Sequence, residues 1–116
     1  FGRLLKENAM DIVQPDIGWG GGFSELRKIG LAAQSFSKPV SLHSFGSCVH
    51  FVASLQLAGS LPNTEAIESE ENQNILKTGV LKTPFEHDEY MNFYVPQLPG
   101  LGIEIDWDAA EKIRVF

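Results

Sequence analysis

Three short apolar runs recur along this chain: Ile12-Val13, Val40-Ser41-Leu42 and Ala66-Ile67. Their spacing of about 26 to 29 residues is that of a strand, a loop, a helix and a turn. Between the first two runs, Leu26, Ile29, Ala33 and Phe36 fall at helical spacing. Ser24 is expected to cap that helix, with Glu25 at the positive end of its dipole. Between the second and third runs, Cys48, Phe51, Val52, Leu55 and Ala58 line one helical face, and Gly59 and Pro62 are expected to end it. Strands alternating with helices of this length predict an α/β fold with a parallel sheet.

The repeat stops short of a finished architecture. A parallel sheet needs both faces covered, and three strands with two or three helices leave two raw edges. The character of the chain then changes. Residues 1–71 carry the repeats, whereas 72–116 are rich in proline, glycine and aromatic residues and predict extended segments that wrap something. A short helix in "DWDAAEKIRV" is expected to close the chain, capped by Asp106 or Asp108. The opening "FGRLLKENAM" reads as the last turns of a helix already under way, which suggests a piece of a longer polypeptide. Two edges would favour association with a missing segment or with a second copy.

Bulk properties exclude several classes. The 116 residues, 43% of them apolar, suffice for one small domain with a core. No run approaches eighteen apolar residues, so no membrane span is expected. No export signal is visible, and a lone cysteine, Cys48, fits a reducing, cytoplasmic setting. The net charge of −6, with nine scattered basic residues, argues against nucleic acid as a partner.

Ligands of parallel α/β folds bind at the carboxyl ends of the strands. Here those ends carry Asp16, His43 and Glu68. Strand alternation puts Ser41 with His43, Ala66 with Glu68, and Ile12 and Gln14 with Asp16, so the three ionisable groups can converge on one face. Each alone has a plain structural reading. Asp16 after Pro15 suits a turn, a strand-end histidine is commonly just hydrogen-bonded, and Glu68 sits in an acidic stretch suited to a solvated loop. Three equivalent ends in three repeats make the catalytic reading stronger than any one of them.

The stretch "DIGWGGG" invites a nucleotide reading, which fails. Counted from Gly18 or from Gly20, the third glycine of a G-x-G-x-x-G fingerprint is Phe23 or Glu25. No acid lies between Glu25 and Glu65 to hold a ribose, and no phosphate-loop lysine motif occurs. The glycines instead predict a tight loop into the helix. Cys48 is expected to be a small buried hydrophobe, and His50 and His87 lack metal-ligand partners at useful spacing. Trp19 and Phe45 follow the first two strand ends and either shape a pocket or cover loop backbone.

The segments "DIVQPDIGWGGGFSELRKIGLAAQSFSKPVSLHSFGS", "VASLQLAGSLPNTEAIESE" and "YVPQLPGLGIEID" resemble, in order and spacing, the last third of mandelate racemase-type members of the enolase superfamily. The resemblance implies strands six to eight of a TIM-like (β/α)₇β barrel, followed by an extended tail that returns to a capping domain. It implies α-proton abstraction from a carboxylate substrate, with Mg²⁺ stabilising the enediolate. By the same resemblance Asp16 orients His43, His43 is the base, and Glu68 hydrogen-bonds the substrate carboxylate. A lysine in place of Asp16 would mark the muconate lactonizing branch. Trp19, Ser44 and Phe45 are the expected substrate contacts. The family's magnesium carboxylates belong to strands three to five, so no metal ligand is expected here. The reading favours a sugar-acid dehydratase, with a racemase or epimerase next. The chain alone is expected to be inactive, and the reading from another class is a non-catalytic structural or assembly module.

Overall fold

The computed structural model describes residues 1–115. Its elements run α1 (Gly2–Lys6), α2 (Gly22–Ser35), β1 (Val40–Leu42), α3 (Cys48–Ser60), β2 (Thr64–Ile67), a π-helical turn (Ile75–Gly79) and α4 (Trp107–Lys112). The strands β1 and β2 are parallel, with Ser41 opposite Ala66 and Leu42 opposite Ile67. The first apolar run joins them as two parallel bridges, Val13 to Val40 and Asp16 to His43, rather than as a continuous strand. Pro15 explains the interruption, because it brings no N–H to the ladder; its carbonyl still accepts from His43 N at 3.1 Å.

Side-chain alternation follows from this pairing. Val13, Val40 and Leu42 point into the core with Leu5, Leu26 and Leu57, and all six are almost fully buried. The opposite parity leaves Ile12 half exposed and Ser41 only partly covered.

The start of α2 differs from expectation, whereas the end of α3 falls between the two residues expected to end it. α2 begins at Gly22, so Ser24 lies inside its first turn and does not cap it. The cap is Gly21 at φ 98°, a left-handed conformation that glycine adopts without penalty. α3 runs through Gly59 to Ser60 and ends where Leu61 is extended, at φ −103° and ψ 130°. Pro62 is the cause, since a residue before proline is driven out of the helical region. At the other end of the chain, α4 is capped by Asp106, whose side chain accepts from Ala109 N at 3.0 Å.

The tail is held by α3. Phe51 is 2% exposed and meets the rings of Phe85 and Phe93 edge-on, at centroid distances of 4.8 and 5.0 Å. Gln56 donates to the carbonyls of Pro96 and Leu101. Lys77, on the π-helical turn, places its ammonium 4.8 Å from the Phe51 ring centre and donates to Ser69 Oγ and the Glu70 carbonyl. Cys48 is buried at 1% exposure, as its helical stripe implied. None of the described helices is long and apolar enough to cross a membrane.

Candidate active site

The structure brings Asp16, His43 and Glu68 together at one end of the parallel segments. Asp16 Oδ2 lies 2.6 Å from His43 Nδ1, and His43 Nε2 lies 3.6 Å from Glu68 Oε2. The backbone sets this order: His43 bridges Asp16 on one side, and Glu68 N donates to the Leu42 carbonyl on the other. Asp16 is sheltered, with its side chain 14% exposed, while His43 and Glu68 are 43% and 44% exposed and face the open side.

Asp16 Oδ1 is as heavily engaged as Oδ2. It accepts from Gly18 N at 2.7 Å and Trp19 N at 3.0 Å, an Asx-type turn that starts the glycine loop. It also lies 3.1 Å from His50 Nε2. Burial by itself would raise the Asp16 carboxyl, but hydrogen bonds from His43, His50 and Gly18 outweigh it and hold the group below its ordinary value. A carboxylate only accepts, so the nitrogens that both imidazoles present to it carry protons. In the neutral ring His43 Nε2 is then the bare nitrogen, on the half-exposed side. That is the form a histidine needs to take up a proton.

His50 was missed by spacing arguments because 34 residues separate it from Asp16. A sequence signal for it exists. Ser47 caps α3 and accepts from His50 N at 3.3 Å, which fixes His50 in the first helical turn after the second strand end. A first-turn side chain there points back at the strand ends.

The expected substrate contacts separate into two kinds. Trp19 and Phe45, which follow the first two strand ends, are 93% and 59% exposed. Ser44 is only 3% exposed, and its Oγ lies 3.4 Å from His50 Nδ1, so it faces His50 rather than open space. His87 lies apart, with Nδ1 2.9 Å from the Asp88 carbonyl and its ring against Phe93.

Residues 1–109 match the family described as "Enolase C-terminal domain-like". The chain belongs to that family. This enolase-type segment is 35% identical over 120 residues to D-xylonate dehydratase of Haloferax volcanii, spanning 99% of this chain and 28% of that protein. It is 33% identical to D-galactarolactone cycloisomerase of Agrobacterium fabrum, over 97% of this chain and 32% of that one. Its fold superposes on a mandelate racemase/muconate lactonizing enzyme from Sulfitobacter sp with a TM-score of 0.85 at 28% identity, covering 97% of this chain and 28% of that one. The enolase-type segment thus spans about 30% of the length of the relatives it matches.

Proposed function

We propose that the polypeptide bearing this segment removes the α-proton of a sugar-acid carboxylate, with His43 as base, Asp16 as its orienting partner and Glu68 toward the substrate carboxylate. The observation that carries this reading is the 2.6 Å contact between Asp16 Oδ2 and His43 Nδ1, which in the neutral ring leaves Nε2 bare on the open side. A proton taken from carbon by Nε2 leaves an imidazolium whose other N–H already faces a carboxylate. The substrate would lie across the open side of Nε2 and the half-exposed Glu68, which are 3.6 Å apart, with Trp19 and Phe45 at its sides. Relatives named D-xylonate dehydratase and D-galactarolactone cycloisomerase, for a sugar acid and a sugar-acid lactone, support that substrate class. Loss of a β-hydroxyl from the enolised acid would complete a dehydration, which is the favoured outcome.

Enolase-superfamily enzymes work with Mg²⁺. The residues of this segment do not fit that ion. Both Asp16 oxygens already accept hydrogen bonds, and among the described residues no group of three His, Cys, Asp or Glu side chains is placed to hold a metal. This segment would contribute the base and the hydrogen bonds around it.

In architecture, we propose that residues 12–16, β1 and β2 are the sixth to eighth strands of a (β/α)₇β barrel, and that 72–116 return to a capping domain. The half-exposed Ile12, beside partly covered Ser41, supports this, because the inner face of a barrel is closed only by the remaining strands. The test of function is α-hydrogen exchange. The whole protein, supplied with Mg²⁺, is incubated in D₂O with a panel of aldonates and aldarates and followed by NMR. Deuterium at the α-carbon, or a keto acid formed by loss of water, is expected with at least one acid. Neither product with any member of the panel would contradict the proposal.

A further inference from the structure

His50 has no part in the base assignment above, yet its surroundings are ordered around the dyad. Its side chain is 17% exposed. Its two ring nitrogens face different groups: Nε2 lies 3.1 Å from Asp16 Oδ1, and Nδ1 lies 3.4 Å from Ser44 Oγ. Gly18 closes the same corner. A Cβ built there would lie 3.3 Å from Asp16 Oδ1 and 3.3 Å from His50 Cδ2, tighter than most packed contacts. One carboxylate is therefore gripped by two imidazoles, one on each oxygen.

We propose that His50 is a positioning residue. Held as the Nε2–H tautomer, it fastens Asp16 Oδ1 so that Oδ2 stays aimed at His43 and His43 Nε2 stays bare. The Asp16 carboxylate accepts from whichever nitrogen faces it, so His50 carries its proton on Nε2 and takes the Ser44 O–H on Nδ1. His43 carries its proton on the other nitrogen, Nδ1. The two histidines therefore hold opposite tautomers on one carboxylate. Without His50, Oδ1 keeps only its two backbone donors, both from one short turn, and the carboxylate is freer to rotate away from His43.

This proposal rests on the reading of His43 as base, but its first test needs no substrate and so stands apart from that reading. Histidine labelled with ¹⁵N is introduced into the whole protein, and ring tautomers are read by long-range ¹H–¹⁵N correlation above the range where histidine protonates. His50 is expected to be protonated on Nε2 and bare on Nδ1, and His43 the reverse. A His50 bare on Nε2 overturns the proposal. His50→Leu is expected to mix the His43 tautomers and to slow α-hydrogen exchange by about tenfold to a hundredfold, the scale of a small misplacement of a catalytic group. His50→Gln, whose amide N–H reaches the same carboxylate oxygen, should restore both to within a few-fold. An unchanged His43 tautomer in His50→Leu, or a glutamine variant as impaired as the leucine one, overturns it. If His50→Leu does not fold, the native tautomers and His50→Gln decide.

Discussion

Asp16 and His43 are 27 residues apart in sequence, yet Oδ2 of one lies 2.6 Å from Nδ1 of the other, and their backbones are bridged as neighbours in a parallel pair. The contact is therefore set by the sheet rather than by a loop. A carboxylate and an imidazole placed on adjacent strand ends need little reorganisation to act together.

Because Asp16 titrates below its ordinary value of 3.8 in the folded chain, it is a source of acid-sensitive stability. The unfolded chain takes up a proton at the ordinary value and the folded chain only lower. Its contribution is thus complete above about 3.8 and is lost as pH falls through the folded value. Asp16→Asn should cost about 1.5–3 kcal/mol at neutral pH, the scale of hydrogen bonds to a charged group. Urea unfolding of both proteins should show that gap narrowing at acid pH. A gap that stays constant down to the acid limit would contradict the assignment.

Gly18→Ala separates stability from geometry. Its backbone is not left-handed, so the substitution brings no φ penalty, and fewer unfolded conformations offset part of any crowding. The new methyl must push on Asp16 Oδ1 or His50, each 3.3 Å away. Thermal unfolding should move little while α-hydrogen exchange falls. Unchanged exchange would show that the corner tolerates displacement.

Phe51→Ala should detach the tail. The ring is nearly fully buried and anchors Phe85, Phe93 and the Lys77 ammonium at once. Truncating a buried phenylalanine costs about 3–5 kcal/mol. Amide hydrogen exchange should rise across residues 85–93 more than in β1. A loss below about 1 kcal/mol, far under the usual range for such truncations, would mean that the tail is held elsewhere.

The triad at the strand ends was legible in the sequence because strands alternate sides, and Asp16, His43 and Glu68 share one parity at equivalent points of a repeat. The α3 stripe was legible for a similar reason, and so was the buried Cys48 on it. The start of α2 was not, because a serine within the first turn looks like a cap while Gly21 does the work by its backbone alone. The first run falls short of a strand through a single missing N–H at Pro15. The contact of His50 with Asp16 and those of Phe51 with Phe85 and Phe93 escaped notice because these partners lie 34 or more residues apart and follow no period. Ser44 shows the limit of adjacency: next in sequence to His43, it is turned inward toward His50.

The central claim is that His43 is the base, and the most direct measurement is α-hydrogen exchange by His43→Asn in the whole protein on the acid it turns over. Asparagine keeps a donor toward Asp16 but offers no ring nitrogen to take a proton. Exchange and turnover should both fall by about 10² to 10⁴, the range of general-base catalysis, while the fold persists. Exchange at the wild-type rate in His43→Asn would contradict the account and leave His43 a structural partner of Asp16.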